Sequence, residues 1–323
     1  MDDYIKSLIP KSLLDFEKMF STEEQCVEYL IKMKYGSVGY RCSKCDNNNY
    51  WLKRKYVLKC SKCFDENSIL NETIFQSKSK PLMLYFRAIW YIVGQKNGTN
   101  ATSIKSILSL GSYRSAWLWL HKIRRAMIRL DREKLNGNVE VDETQFGKTT
   151  NNKRGRGTNQ LKLIVAVELR YKSLGKIRIK TIEDFSSYSL QPFILSNIEK
   201  GSNIITDDWN GYNGIEKEGY TREIHESKNA DTELQHVHLI ISLLKRWILG
   251  TLHGSYSDKY FDYYLEEFVF RFNRRKSKDR GLLFYRLMEV AVNKFPTTLD
   301  EIKDEKRAHS DQESSSENNI PNL

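Results

Sequence analysis

Residues 138–146 read Asn-Val-Glu-Val-Asp-Glu-Thr-Gln-Phe, and the short run Val139-Glu140-Val141 ends on Asp142. The same pattern recurs downstream, where Asn203-Ile204-Ile205-Thr206 ends on Asp207. Two strands that each deliver a carboxylate at their ends can build a divalent-cation site from distant sequence. Hard cations such as Mg²⁺ take oxygen ligands, usually one or two carboxylates plus phosphate oxygens of a substrate. Strand alternation places Glu140 on the same sheet face as Asp142. Glu140 is readable equally as a surface charge and as a further ligand, and Glu143 flanks the site on the other side.

Working outward from Asp142, the periodicity predicts strands at Asn138–Phe146, Gln160–Glu168, Lys176–Ile182 and Ser202–Asp207. A helix is expected at Tyr188–Ile198, and three more at Leu234–Leu249, Asp258–Phe272 and Gly281–Phe295. Three hairpin-like strands, a helix, a strand ending on an acid, and then helices predict an α/β layer fold of the RNase H type. Residues 1–36 are expected to be helical, with Ser21-Thr22-Glu23-Glu24 as an N-cap and acidic first turn. Cys26, on one face with Val27, Leu30 and Ile31, reads as a small buried hydrophobe. Residues 81–135 predict helices at Leu82–Val93, Thr102–Leu110 and Ser115–Leu130, separated by Gly94, Lys96–Asn100 and the turn at Gly111.

The remaining cysteines form two pairs, Cys42-Ser-Lys-Cys45 and Cys60-Ser-Lys-Cys63. Each Cys-x-x-Cys turn can bring two thiolates to one metal, and four thiolates make a closed tetrahedral site of the structural Zn²⁺ type. No coordination position stays open, so this zinc should hold the fold and perform no chemistry. Paired repeats without a thioredoxin-like context argue against a redox role. Arg41, Lys44, Lys53, Arg54, Lys55, Lys59 and Lys62 surround the cluster, with Tyr50, Trp51 and Tyr56 interleaved. A basic ribbon of this kind fits a nucleic-acid contact, and a purely structural ribbon is the other reading.

Charge distribution narrows the partner. The 323-residue chain carries +11, and the segment from Pro296 to Leu323 has seven acids against three bases, so the first 295 residues carry +15. A polyanionic partner is the expectation. Residues 81–135 hold ten Lys or Arg against two acids. Short helices around Gly111 followed by a longer one bearing Lys122, Arg124 and Arg125 fit a helix-turn-helix reading with phosphate contacts. Trp117 and Trp119 read as core. Arg271, Arg274, Arg275, Lys276, Lys278 and Arg280 form a second basic cluster, either a solvated helix end or a phosphate-binding face. His253, near Gly250, has no assigned chemistry. No apolar run approaches the length of about 18 residues that a membrane span needs. The N-terminus lacks a basic leader followed by an apolar core, so no secretory signal is expected. Residues 296–323 have the composition of a disordered acidic tail.

Several motifs in order carry a family resemblance: Val139–Thr144, the basic loop Lys153-Arg154-Gly155-Arg156-Gly157, Thr206-Asp207-Asp208-Trp209-Asn210-Gly211-Tyr212, and Leu243-Leu244-Lys245-Arg246. Gly250–His253, Glu267–Arg275, Gly281–Leu287, His121–Met127 and the cysteine pairs extend it. From about residue 15 to 295 the chain resembles transposases of ISXO-type bacterial insertion sequences, DDE-superfamily enzymes related to the eukaryotic Merlin transposons. The resemblance implies an RNase H-like core with a mixed five-stranded sheet and flanking helices, preceded by a zinc ribbon and a small helical DNA-binding segment. It divides the chain into an N-terminal helical segment 1–36, ribbon 37–80, helical segment 81–135, core 136–295 and tail 296–323.

The activity implied is cleavage at terminal inverted repeats of double-stranded DNA and joining of the 3′-hydroxyls to target DNA. It depends on Mg²⁺ or Mn²⁺ and has no covalent enzyme intermediate. A homodimer or larger synaptic assembly is implied, as is action in the cytoplasm at the bacterial nucleoid, or in the nucleus of a eukaryotic host. Asp142 and Asp207 match the first two acidic positions, and Asp208 competes for the second. Lys153, Arg154 and Arg156 would contact the DNA backbone beside them.

The third position departs from the family pattern, which has an acid or a substitute seven residues before a helical lysine. Lys245 matches the lysine, and seven residues earlier stands His238 on the same helical face. Imidazole suits Zn, Fe, Ni or Cu better than Mg²⁺. Three readings stand: His238 ligates an ion, with a preference for Mn²⁺; Glu226 or Glu233 supplies the carboxylate through a shifted register; or the copy is inactive. Impaired activity is the expectation, and the alternative is a catalytically inactive, transposase-derived, sequence-specific DNA-binding protein.

Overall fold

The structure is a computed structural model and describes residues 3–76, 80–128, 132–147, 160–171, 173–225, 234–253 and 256–293. Lys153, Arg154, Arg156, Glu226, Glu233 and the segment 296–323 lie outside the described residues. The chain divides into two compact units.

The first unit gathers the described residues of Met1–Gly94, Ala101–Ala126 and Asp279–Leu323. It contains α1 (Asp3–Ser7), α2 (Leu13–Met19), α3 (Glu23–Tyr35), a ribbon of β1 (Tyr50–Lys53), β2 (Val57–Cys60) and β3 (Glu66–Ser68), then α4 (Leu82–Gly94), α5 (Ala101–Ile107) and α6 (Tyr113–Met127). The expected cap at the start of α3 is present: Thr22 accepts from the Gln25 amide while the Gln25 side chain returns to the Thr22 amide. Cys26 is fully buried on that helix, as the apolar face predicts. Glu23 is nearly buried and turns away from its own helix. Its carboxylate accepts the Leu82 amide at 2.8 Å and the Met83 amide at 3.3 Å, and so caps the first turn of α4. The ribbon is antiparallel in the order β1-β2-β3, with Trp51 opposite Lys59 and Lys59 opposite Glu66.

The second unit comprises Gln95–Asn100 and Met127–Lys278. It holds β4 (Asn138–Phe146), β5 (Leu161–Arg170), β6 (Ser173–Ile182), α7 (Ser187–Asn197), β7 (Asn203–Asp207), β8 (Thr221–His225), α8 (Gln235–Leu252) and α9 (Phe261–Asn273). Among the described residues these strands make one five-stranded mixed sheet in the order β6-β5-β4-β7-β8. The three N-terminal strands pair antiparallel, whereas β4–β7 and β7–β8 are parallel. This is the RNase H-like arrangement that the strand and helix order predicts.

Strand alternation sorts the sheet into two faces. Val139, Val141, Ile164, Ala166 and Ile204 pack against Leu190, Phe193 and Ile194 of α7. Leu163, Val165, Val167, Ile177 and Ile205 pack against α8 and α9. Strand β5 is covered on both faces, so Leu163 to Val167 form an unbroken apolar run. Helix α8 presents Val237, Ile240, Ile241, Leu244, Ile248 and Leu252 to the sheet at helical spacing. Full burial of each such side chain contributes roughly 1.5–3 kcal/mol.

Helix α10 (Arg280–Ala291) belongs to the first unit. Its Phe284 joins an aromatic cluster with Phe16, Phe20, Tyr29, Phe86 and Trp90, at ring-centroid distances of 5.4, 5.5, 6.1, 6.0 and 5.9 Å. Gly281 permits this: a Cβ there would lie 1.7 Å from the Pro10 carbonyl oxygen.

Candidate metal centre and active site

The two Cys-x-x-Cys segments fold into matching knuckles. In the first, the Asp46 amide donates to the Cys42 carbonyl at 2.9 Å and the Cys42 amide to the Asn47 carbonyl at 2.9 Å. In the second, Phe64 donates to Cys60 at 3.1 Å and Cys60 to Asp65 at 2.9 Å. The residue after each knuckle is left-handed, with φ 55° at Asp46 and 60° at Phe64. All four sulfurs lie within 4.8 Å of one another. The pairs Cys42–Cys63 and Cys45–Cys60 are each 3.5 Å apart. Tetrahedral zinc with Zn–S near 2.3 Å asks for sulfurs about 3.8 Å apart, so the donor set fits the ion.

The electrostatics agree with that fit. The Lys44 amide holds the Cys42 thiol below its ordinary value. At Cys60, burial is outweighed by the amides of Cys63 and Lys62 and by the Asn47 side chain, which bring the thiol down to about 6. Cys63 is pushed the other way, to about 12: the Asp65 amide favours its thiolate, but desolvation and the neighbouring thiols prevail. Four thiolates this close cannot all ionise without a cation among them.

The second site lies where β4, β7 and α8 meet. The parallel register ends with Glu140 beside Ile205, two residues before Asp142 on β4 and Asp207 on β7. Adjacent strands lie about 4.8 Å apart, and both aspartates are half-buried on the face covered by α8. The Asp142 carboxylate accepts the Glu143 amide at 2.8 Å through Oδ1 and lies 3.0 Å from His238 Nε2 through Oδ2. Asp207 Oδ1 accepts the Trp209 amide at 3.1 Å, and Asp208 is exposed.

The turn after Asp207 is fixed from several sides. Arg222 of β8 donates to Thr206 Oγ1 at 3.0 Å and to the carbonyls of Asp207 and Trp209 at 3.0 and 3.2 Å. The Trp209 indole donates to the Phe185 carbonyl at 2.7 Å. A Cβ on Gly211 would lie 2.6 Å from that same carbonyl oxygen, so this turn closes only around glycine. Tyr212, fully buried, donates to Glu143 Oε2 at 2.7 Å. Burial, followed by the negative charges of Glu143, Asp142 and Asp207, raises the Tyr212 phenol well above its ordinary value and keeps it a donor.

Successive residues on one face of β4 each meet α8. Glu140 accepts from His236 Nδ1 at 2.6 Å and from the Val237 amide at 2.7 Å. Asp142 meets His238, and Thr144 Oγ1 lies 3.5 Å from Lys245 Nζ. The helix has no side-chain N-cap of its own, so the buried Glu140 carboxylate supplies one from the sheet. Glu140 is thus no surface charge, and its bond to a helix start was not readable from the strand pattern. Among the described residues the four cysteines are the one group of three or more His, Cys, Asp or Glu side chains within mutual ligand distance. Asp142 and His238 are in contact, and Asp207 stands across the strand gap from them.

The basic residues divide differently from expectation. Lys122 and Arg124 are buried, at 9% and 2% exposure, so they do not form an open phosphate-binding face on α6, and Arg125 is half-buried. Helix α6 buries Ala116, Leu120, Ile123 and Met127 as well as Lys122 and Arg124. Trp119 is core, stacked on Tyr85 at 3.8 Å, and Trp117 lies against His121 at 4.0 Å. In the later cluster, Arg271 is committed to the buried Glu267 and to the Gln95 carbonyl. Arg274 lies over Phe270 at 4.1 Å and Arg275 over Phe272 at 3.9 Å. Arg275 remains exposed. His253 closes α8 in a left-handed conformation.

No described helix is long and apolar enough to cross a membrane. No curated protein matches the chain. Residues 134–273 match the model of the ISXO2-like transposase domain, a span that includes Asp142, Asp207, His238 and Lys245. Over that span, 140 of the 323 residues, the chain is similar to the ISXO2-like transposase domain.

Proposed function

We propose that the chain binds the terminal inverted repeats of an insertion-sequence element and carries out divalent-metal-dependent cleavage and strand transfer on double-stranded DNA. The observation that supports this reading is the parallel β4–β7 pairing, which ends with Glu140 beside Ile205, two residues short of Asp142 within β4 and Asp207 at the end of β7, with His238 of α8 3.0 Å from Asp142. Asp142 and Asp207 would hold Mg²⁺ or Mn²⁺, which supplies Lewis acidity at the phosphate and lowers the pKa of the attacking water. The chain's own residues do the positioning. Glu140 fixes the start of α8, Arg222 fixes the turn that carries Asp207, and exposed Lys245 offers a cation to a phosphate passing along the helix. Lys153, Arg154, Arg156 and exposed Arg275 add positive charge for the duplex backbone. Work on two paired ends implies a dimer or larger assembly, acting where the cell keeps its DNA.

A specific contact favours a second reading, a DNA-binding protein with an impaired centre. His238 occupies the Asp142 oxygen that a cation would need, and a neutral imidazole contributes no charge toward one. Cleavage of a labelled inverted-repeat duplex in Mg²⁺ and in Mn²⁺ separates the two. Under the first reading the wild type cuts, and Asp142→Ala and Asp207→Ala each abolish cutting while the thermal midpoint is retained. Under the second, only His238→Glu cuts. Metal-dependent cleavage that survives both aspartate substitutions would sink the site assignment.

A further inference from the structure

The ribbon carries two large aromatic side chains that bury little. Trp51 on β1 is 53% exposed and Phe64, directly after the second cysteine pair, is 58% exposed. Their rings lie 6.1 Å apart with planes inclined by only 25°. Lys59, opposite Trp51 in the strand register, places its ammonium 5.3 Å from the centre of the Phe64 ring.

Phe64 stands in a conformation that works against it. Its φ of 60° matches that of Asp46 in the other knuckle. Aspartate tolerates the left-handed region because its short polar side chain can bond locally, whereas a bulky aromatic residue there is an outlier. Core burial does not explain the choice, since most of the ring faces solvent. A residue held in a sparse conformation with its side chain displayed points to a contact made outside the fold.

The surroundings specify the contact. Residues 41–68 carry seven Lys or Arg against three acids, and those acids are already engaged by Arg41, Lys44 and Lys53. Two displayed, nearly parallel rings beneath a net positive charge suit a ligand that alternates flat aromatic groups with phosphates. In duplex DNA the base faces are hidden in the stack; in single strands they are available. We propose that the Trp51–Phe64 face of the ribbon binds single-stranded DNA, stacking unpaired bases on the two rings with the backbone beside Lys59. This binding is independent of whether the transposase domain cuts DNA.

The test uses the full-length, zinc-loaded chain and fluorescence anisotropy with two labelled probes, a short oligothymidylate and a mixed-sequence duplex. Phe64→Gly should weaken oligothymidylate binding by about 5- to 100-fold and leave duplex affinity within about twofold. The same variant should melt no lower than the wild type, because glycine adopts the left-handed conformation freely. Trp51→Ala should show the same selective loss. The proposal is overturned if the wild type does not bind oligothymidylate, if both variants bind it as the wild type does, or if both probes weaken in parallel.

Discussion

At the scale of single residues, the most consequential contact outside the aspartates is made by Glu140. Its carboxylate satisfies the Val237 amide, 97 residues away, and holds the His236 ring. Glu140→Ala leaves that buried amide without its acceptor, and unfolding in urea should show a loss of about 1–3 kcal/mol. His121 supplies a pH signature. It is fully buried, and burial, reinforced by the Arg124 charge, lowers its pKa from 6.5 to about 2. The folded chain therefore keeps His121 neutral where the unfolded chain protonates it. Its contribution to stability is complete above about 6.5 and is lost as pH falls below that value, with a slope approaching ~1.4 kcal/mol per pH unit. Denaturation from pH 8 to pH 5 should show this dependence in the wild type, and it should be absent from His121→Phe. Asp142, Asp207, His238 and the four cysteines were legible as residue types at meaningful spacings. Glu140 was not, because a strand's alternation says which face a carboxylate takes and not which helix end will reach it.

At the scale of elements, the ribbon has little apolar core of its own, and the four sulfurs gather its strands. Chelating the zinc should abolish amide-exchange protection across β1–β3 and leave β4–β7 protected, as read by hydrogen exchange and mass spectrometry. Equal loss across both sheets would contradict a local structural role for the metal. The element pattern was largely readable. Strand β4 occupies the predicted Asn138–Phe146, and α4, α7 and β7 fall within a residue of expectation. Periodicity found these because each has one apolar face or a continuous apolar run. It assigned no residues to β8, Thr-Arg-Glu-Ile-His, which lies at the sheet edge with mostly exposed or half-buried side chains and carries no alternating apolar signal. The functional cost of missing it was Arg222, which braces the turn carrying Asp207.

At the scale of the whole molecule, the chain is not a row of consecutive domains. The first unit is assembled from three segments and recruits α10 from beyond residues 134–273, the span similar to the ISXO2-like transposase domain. A fragment ending at residue 126 lacks Phe284, around which five aromatic rings cluster. Relative to the full chain, that fragment should lose cooperative thermal unfolding, and adding 279–293 on a linker should restore it. A fragment that melts as the full chain does would show α10 to be dispensable. Local chemistry was sufficient for the sequence by itself to determine the clustering of the four cysteines, the strand–helix order of an RNase H-like sheet, the strands that carry Asp142 and Asp207, and the basic balance that suits DNA. These follow from side-chain period, ligand spacing and charge, all of which act over a few residues. Only the tertiary structure decided that Glu140 caps α8, that His238 lies against Asp142, that Lys122 and Arg124 are buried, and that α10 completes the first unit. Each of those depends on which surfaces meet across long stretches of chain, and hydrophobic burial, being non-directional, selects such partners only when the whole chain is packed.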